Sequence, residues 1–347
     1  MTIKQIYELA IKLGIQNDLR GAEVVQKRMK YLKDQYNMLS AEDKNDFDSE
    51  KLHNPFSDTR YFSENPDKKV TRIMAGIDIG TEEVLLAKEL SQNRPIDLII
   101  AHHPIGPALA GLHEVMDLQA EVMEKYGVPI NVAQNLTKER LEEVSRSVSS
   151  SNHNRVLDAA KLLGFDMMCT HTTADNMVAT FLEKYFKKNQ KKIERVSDVL
   201  DLLKKIPEYN QAISLKSGPR LFAGKKSNFA GKIALTEVTG GTSGSKDMYE
   251  KLAQAGVGTI IGMHMHEEHK NEAEKNHINV IIAGHMSSDS IGMNLFLDEI
   301  EKHGVEIIPC SGLIRVKRFK KKKQPKNPTK TKPKVKKKTN KSAKGKK

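Results

Sequence analysis

Short, almost uninterrupted apolar runs alternate with helix-periodic stretches from residue 70 to about residue 300, and this alternation constrains the fold more than anything else in the chain. The runs are "VTRIMAGIDI", "IDLIIA", "VPINVA", "FDMMCT", "GKIALTEV", "GTIIGMHMH" and "NVIIAG". Apolar runs of this length without polar alternation belong to strands of a sheet covered on both faces. Residues 81–90, 108–126, 138–148 and 152–163 lie between them and have helical spacing. The class is therefore α/β, mixed sheet flanked by helices.

Ahead of this body, Ile3, Ile6, Leu9, Ala10 and Leu13 recur at helical spacing, and a second periodic stretch covers 22–39. The acidic, proline-punctuated "SAEDKNDFDSEKLHNPFSDTRYFSENPDKK" then reads as an irregular linker. The expected organisation is a helical extension and linker (1–65), an N-terminal α/β lobe (66–181), a polar helical connector (182–230), a C-terminal α/β lobe (231–317) and a Lys-rich tail (318–347). The two lobes are expected to be related, with a cleft between them.

Charge is divided unevenly. Of 57 Lys and Arg residues, eighteen fall in 315–347, where there is no acid; the remaining 39 face 44 Asp and Glu. An acidic body thus carries a basic tail. With almost nothing apolar, that tail cannot offset the entropy of ordering and is expected to be disordered. It either solubilises the chain or binds nucleic acid electrostatically and without sequence preference. The only cysteines, Cys169 and Cys310, are too few for a disulfide scaffold or a four-Cys zinc site, which favours a reducing cytoplasm. "MTIKQIYELAIKLGI" is interrupted by Lys4, Glu8 and Lys12, an amphipathic helix rather than a leader. No apolar run reaches the roughly 18 residues of a membrane span, so no membrane partner is expected.

Three strand ends carry the chemistry. "DLIIAHHP" ends in His102 and His103, "FDMMCTHTTADN" in His171 with Asp175 four residues on, and "NVIIAGHMSSDS" in His285 with Asp289 four residues on. The first and third read as near-echoes. Open α/β sheets bind ligands beyond the carboxyl ends of their strands. Pro104 forces a turn directly after His103, and His285 and Asp289 share one face of a helix. Imidazole nitrogen with carboxylate oxygen suits zinc, iron or manganese. Five protein ligands from such strand ends exceed what one ion with an open position needs. They suit two divalent ions bridged by a carboxylate, able to activate a water between them. Singly, each has a plainer reading: a surface histidine or, for Asp175, a helix cap. Convergence at three strand ends favours the metal.

Two further stretches stay open. "ALTEVTGGTSGSKDMYEKL" reads as strand, glycine-rich turn and helix; its backbone N–H groups can hold a phosphate, and a tight turn explains its glycines equally well. In "GMHMHEEH", His264 and His266 lie on one side of a strand end by period two, either facing a site or lying on the surface.

Taken together and in this order, "DLIIAHHP", "THTTAD" and "VIIAGHMSSD" resemble the NGG-one-interacting-factor-three-like family, whose bacterial members often carry the label type 2 GTP cyclohydrolase I or dinuclear metal centre protein. The resemblance covers roughly residues 70–316. It implies a dinuclear centre in the cleft at His102, His103, Asp175, His285 and Asp289, with His171 lining it, His264 and His266 beside it, and a homo-oligomer. The family usually has glutamate at the last ligand position; Asp289 is one methylene shorter. The segment between "HHP" and "THT" is longer than usual, and the first 65 residues depart from the family's opening. The expected function is a metal-dependent hydrolase acting on a nucleotide-like or phosphorylated small molecule, with His171, His264 and His266 near the reacting water. The alternative is a non-catalytic metal-binding regulatory or interaction protein that engages nucleic acid through its tail.

Overall fold

The computed structural model describes residues 1–319; apart from its first two residues, the tail expected to be disordered lies outside them. Nine strands form two mixed sheets: β1 (Thr59–Phe62), β2 (Arg72–Gly76), β3 (Leu98–Ala101), β4 (Met167–Thr170), β5 (Arg220–Ala223), β6 (Lys232–Glu237), β7 (Val257–Gly262), β8 (Asn279–Ile282) and β9 (Glu306–Cys310). The first sheet runs β1-β4-β3-β2-β9 and the second β5-β8-β7-β6. The first has four parallel strands and the second three, and each carries one antiparallel edge strand, β1 on β4 and β5 on β8. The lobes are related by topology, with β1 to β4 repeated as β5 to β8. β9 returns from the chain end to pair in parallel with β2.

The continuous apolar runs are explained by cover on both faces of the first sheet. Ile73, Ala75, Leu98, Ile100 and Met168 pack on one side with Ile3, Ile6 and Ala10 of the N-terminal helix. Their neighbours Met74, Ile99, Ala101, Met167 and Cys169 pack on the other, against Val84, Ala87 and Ala160. Successive residues point to opposite faces, so a strand buried on both sides has no polar position to alternate.

Two long helices tie the lobes together. Helix Thr172–Asn189 leaves β4 of the first sheet, and its Val178, Ala179, Leu182 and Phe186 lie in the core of the second. Helix His285–Glu301 leaves β8 of the second sheet, and its Met293, Phe296, Leu297 and Ile300 lie in the core of the first. They cross at Gly292, where a Cβ would lie 2.3 Å from the carbonyl oxygen of Ala174. Only a residue without Cβ allows that approach.

Four local expectations fail. "VPINVA" is not a strand: Pro129 caps helix Ile130–Ser149, and a short apolar run does not by itself distinguish strand from helix. The stretch 108–126 is broken into helix Pro107–Ala110, a 3₁₀ turn Leu112–Asp117 and helix Leu118–Lys125. The supposed linker contains a short helix, Ala41–Asp46, and the edge strand β1. Beyond Thr59 this strand is only half-buried, so it needs no continuous apolar run. Finally, helix Met248–Gln254 has seven residues and starts well beyond the end of β6, so the glycine-rich stretch is a long loop rather than a tight strand-to-helix turn. Among the described residues no helix is long and apolar enough to cross a membrane.

Candidate metal centre

Strand register decides which side chains meet. Gly76 opposes Ala101 in the β2–β3 pair, so Asp78 and His103, each two residues further on, come side by side. Thr59 opposes Thr170 in the antiparallel β1–β4 pair, which sets Asp58 beside His171. From the other lobe, His285 and Asp289 arrive on the first turns of their helix. All five expected ligands and His171 converge at this point.

Within the cluster, the hydrogen-bond partners fix each ring. His102 Nδ1 lies 3.0 Å from Thr170 O; a carbonyl only accepts, so Nδ1 carries the proton and Nε2 presents its lone pair to the cluster. His103 Nδ1 donates to Asp78 Oδ1 at 2.6 Å, again leaving Nε2 free. His171 Nδ1 donates to Asp58 Oδ2 at 2.8 Å, and the same oxygen accepts from the Thr172 hydroxyl at 2.6 Å.

The free atoms sort into two groups around one carboxylate. His102 Nε2 lies 3.4 Å from Asp175 Oδ1 and 3.6 Å from Asp289 Oδ1. His103 Nε2 and His285 Nε2 each lie 3.6 Å from the other oxygen, Asp289 Oδ2. These separations are too long for good hydrogen bonds. They match the roughly 3.3–3.6 Å between donors bound at about 2.0–2.2 Å to one tetrahedral ion. Asp289 thus offers one oxygen to each group, the arrangement a bridging carboxylate requires.

A fit test comes from buried atoms that lack partners. His102 Nε2, Asp175 Oδ1 and both oxygens of Asp289 are buried without a hydrogen-bond partner among the described residues. Each such atom costs about 1–3 kcal/mol, and their clustering at one point is what a cation site leaves behind. The donor set therefore fits divalent metal, and the buried His and Asp groups can hold such ions.

Electrostatics follow the same logic. Burial, then the neighbouring imidazoles, hold His102 well below the usual histidine range and His285 at about 3; both are neutral and ready to ligate. Burial raises Asp175, with the charge of Asp58 adding to it, and raises Asp289, with the charges of Asp175 and Asp78 adding to it, so without a cation they retain protons. His171 behaves differently. Burial lowers it, but Asp175 and the Asp58 hydrogen bond together raise it to about 9. With its Nδ1 engaged by Asp58, it forms with His102 and His103 a further group of donors that could hold an ion. The Asp78 carboxyl is lowered, chiefly by its hydrogen bond to His103.

The C-terminal lobe closes the site. Glu237, at the end of β6, lines the remaining cavity together with Val238, Thr239, Gly241, Thr242 and Met263. Burial raises its carboxyl to about 7. That cavity measures about 20 Å³, room for little more than a water molecule. The glycine-rich loop forms its wall: Gln119 donates to the carbonyls of Gly240 and Thr242, and Ser243 Oγ meets His264 Nδ1 at 2.8 Å. His264 lines the cavity, whereas His266 is exposed and caps helix Glu267–Lys275. Topology also corrects the supposed echo of "DLIIAHHP" in "NVIIAGHMSSDS". β3 corresponds to β7 and β4 to β8, so the true counterpart of His285 and Asp289 is His171 and Asp175, each pair four residues apart at a helix start.

Sequence reasoning missed Asp58, Asp78, Glu237 and Ser243. Asp78 and Glu237 had a signal: each lies at the carboxyl end of an apolar run, "RIMAGID" and "IALTE". Asp58 had none, because it lies in the stretch taken for a linker.

No protein-family model matches the chain, and no curated protein does. Solved structures do. A NIF3 superfamily protein from Sphaerobacter thermophilus is 27% identical, with a TM-score of 0.62 over 74% of this chain and 92% of that one. Reduced HcgD from Methanocaldococcus jannaschii is 14% identical over 72% and 86%, with a TM-score of 0.46. A Bacillus cereus protein related to NIF3 is 11% identical over 80% and 95%, with a TM-score of 0.42. With the Sphaerobacter protein matched over nearly its whole length, the chain has the NIF3 superfamily fold, in line with the family resemblance of its sequence.

Proposed function

We propose that the chain is a divalent-metal protein with a dinuclear centre, and that it acts as a metal-dependent hydrolase on a phosphorylated, nucleotide-like small molecule. The observation that carries this reading is the set of unpartnered buried atoms on His102, Asp175 and Asp289. His102, Asp175 and Asp289 Oδ1 would hold one ion; His103, His285 and Asp289 Oδ2 would hold the other. Bound there, zinc, iron or manganese lowers the pKa of water and stabilises charge on an attacked phosphoryl or carbonyl group.

The chain's own groups do the rest. Thr170 O and Asp78 fix the tautomers of His102 and His103, so neither ring can turn its protonated nitrogen inward. His171, held as a cation by Asp175 and Asp58, presents an Nε2–H donor toward anionic charge on the substrate. Glu237 lies across the cavity with its carboxyl at about 7, matched to taking or giving a proton near neutral pH. The walls exclude bulk water, which strengthens each of these interactions.

Metal analysis of the purified full chain beside His102→Ala, Asp175→Ala and His285→Ala tests the centre. Stoichiometric metal in the parent and depleted metal in each variant is the expected result; equal content in all four proteins would sink the reading. Turnover on nucleotide and phosphoester panels by the zinc-, manganese- or iron-loaded protein tests the hydrolase.

A second reading has its own observation. A cavity of about 20 Å³ does not admit a nucleotide without movement of the glycine-rich loop, and a site that never opens belongs to a non-catalytic metal protein. In that reading residues 318–347 engage nucleic acid. Loss of a steeply salt-dependent RNA affinity on their deletion, with the metal centre intact and catalytically silent, favours it. A homo-oligomeric state and a cytoplasmic setting go with either reading.

A further inference from the structure

The central strand of the C-terminal lobe, β7, ends in histidines that the buried cluster does not use. His264 lies two residues beyond Gly262, the last residue of β7, as His103 lies two residues beyond Ala101, the last of β3. By topology the two positions correspond. We infer that His264, His266 and His269 form an outer capture site for a divalent transition-metal ion, through which the buried centre is loaded. This rests on the metal reading of the centre.

Three observations carry it. First, nitrogen atoms are available. His269 Nε2 lies 3.0 Å from Gly244 O, an acceptor only, so Nδ1 has a lone pair. His269 is 8% exposed, and its Nδ1 is buried without a partner among the described residues. His264 Nδ1 meets Ser243 Oγ, and when Nδ1 is the donor of that bond its Nε2 has a lone pair for a ligand. Second, the rings form a continuous path. Ring centres are separated by 5.7 Å from His269 to His266, 6.5 Å from His266 to His264, 5.2 Å from His264 to His285 and 5.1 Å from His285 to His103. Third, the cluster opens to solvent at His285 and His103. His285 and His103 side chains are 38% and 25% exposed, whereas His102, Asp175 and Asp289 are at 1%, 6% and 0%.

The chemistry selects the ligand. Three imidazoles without a coordinating carboxylate take zinc, cobalt, nickel or copper rather than magnesium or calcium. In the resting rotamers the three rings are too far apart to grip an ion together, and rotation of the exposed His266 brings them closer. A site that binds weakly and releases inward is what delivery requires. The deeper centre, with its carboxylates, holds the ion more tightly.

The test uses the full chain, stripped by a chelator and mixed with cobalt(II) or zinc(II). Uptake is followed by cobalt absorption in a stopped-flow instrument, and final content is measured by elemental analysis. His266→Ala and His269→Gln are compared with the parent. The first changes an exposed side chain, and the second keeps an amide N–H for Gly244 O. The expected result is uptake slowed by about tenfold or more, the scale on which outlying partners act, with unchanged final content. Unchanged rates in both variants would overturn the capture site. So would a lower final content, which would make these histidines ligands of the inner centre. If the parent itself takes up no metal, the reading of the centre falls and the capture site falls with it, a result plainly different from a rate unaffected by substitution.

Discussion

The two lobes share a topology but contribute to the site in different ways. In the first, each inner histidine leans on a fixed acceptor: His102 on Thr170 O, His103 on Asp78 and His171 on Asp58. In the second, His285 Nε2 faces Asp289 and its ring lies against those of His103 and His264, and His264 leans on a hydroxyl of the glycine-rich loop. Equivalent strand ends therefore yield a rigid wall on one side and an adjustable one on the other. A strand end can present a histidine, but what backs the ring decides whether it acts as a fixed ligand.

The comparison breaks most completely at Asp289, the one residue placed in both groups. Asp289→Ala is expected to abolish binding of both ions, whereas Asp175→Ala costs one. Elemental analysis after dialysis reads the difference directly. One ion retained in Asp289→Ala would mean that the lobes do not share a carboxylate. Next in size is Gly292→Ala, because an added Cβ would lie 2.3 Å from Ala174 O, backbone that cannot swing aside. Overpacking of this kind costs about 1–3 kcal/mol. In a chain of this size each kcal/mol lowers the melting temperature by about 2–4 °C. Metal content should fall together with the melting temperature, since the crossing helices carry ligands from both lobes. A variant with the parent's melting temperature would show that the helices part easily.

How much of this was legible beforehand depends on where a residue's partners lie. His102, His103, Asp175, His285 and Asp289 announced themselves because chemistry at the end of an apolar run is a local signal. The pairing of lobes was legible too, since continuous runs require cover on both faces. What stayed hidden depends on register across the sheet. Asp58 meets His171 only because β1 pairs antiparallel with β4, and no spacing within "NPFSDTRYF" reveals that pairing. The echo between "LIIAH" and "IIAGH" misled because similar local composition falls on strands of different rank in the two sheets. Nor could sequence anticipate Gly292, whose role arises from a helix of the other lobe.

A smaller effect separates the walls. Asp78→Asn replaces the acceptor behind His103 and should weaken metal binding by about 10- to 100-fold, measured by chelator competition. His264→Ala, behind which stands only a hydroxyl, should leave equilibrium affinity close to that of the parent. Equal losses in the two variants would erase the distinction between a rigid and an adjustable wall.

The smallest effect concerns pH, and it isolates the protons that the cluster holds when metal is absent. Burial raises Asp289 well above its ordinary value, with Asp175 adding to it, and His171 stands at about 9, where Asp175 and Asp58 outweigh burial. Both folded values exceed the unfolded ones, so the folded state binds more protons than the unfolded chain over that interval. Their contribution to stability is present below the unfolded values and is lost as pH rises through the folded ones. His102 and His285 are shifted the other way and act only as pH falls below the unfolded histidine value of about 6.5. Between pH 7 and 9 the raised groups therefore act without that opposition, and the stripped protein should melt progressively lower across this range. Metal holds the carboxylates of Asp175 and Asp289 in their ionised form, which removes most of that dependence. Melting curves of stripped and zinc-loaded protein should consequently diverge as pH rises from 7 to 9; parallel curves would mean that the protons sit elsewhere than on the groups the ions replace.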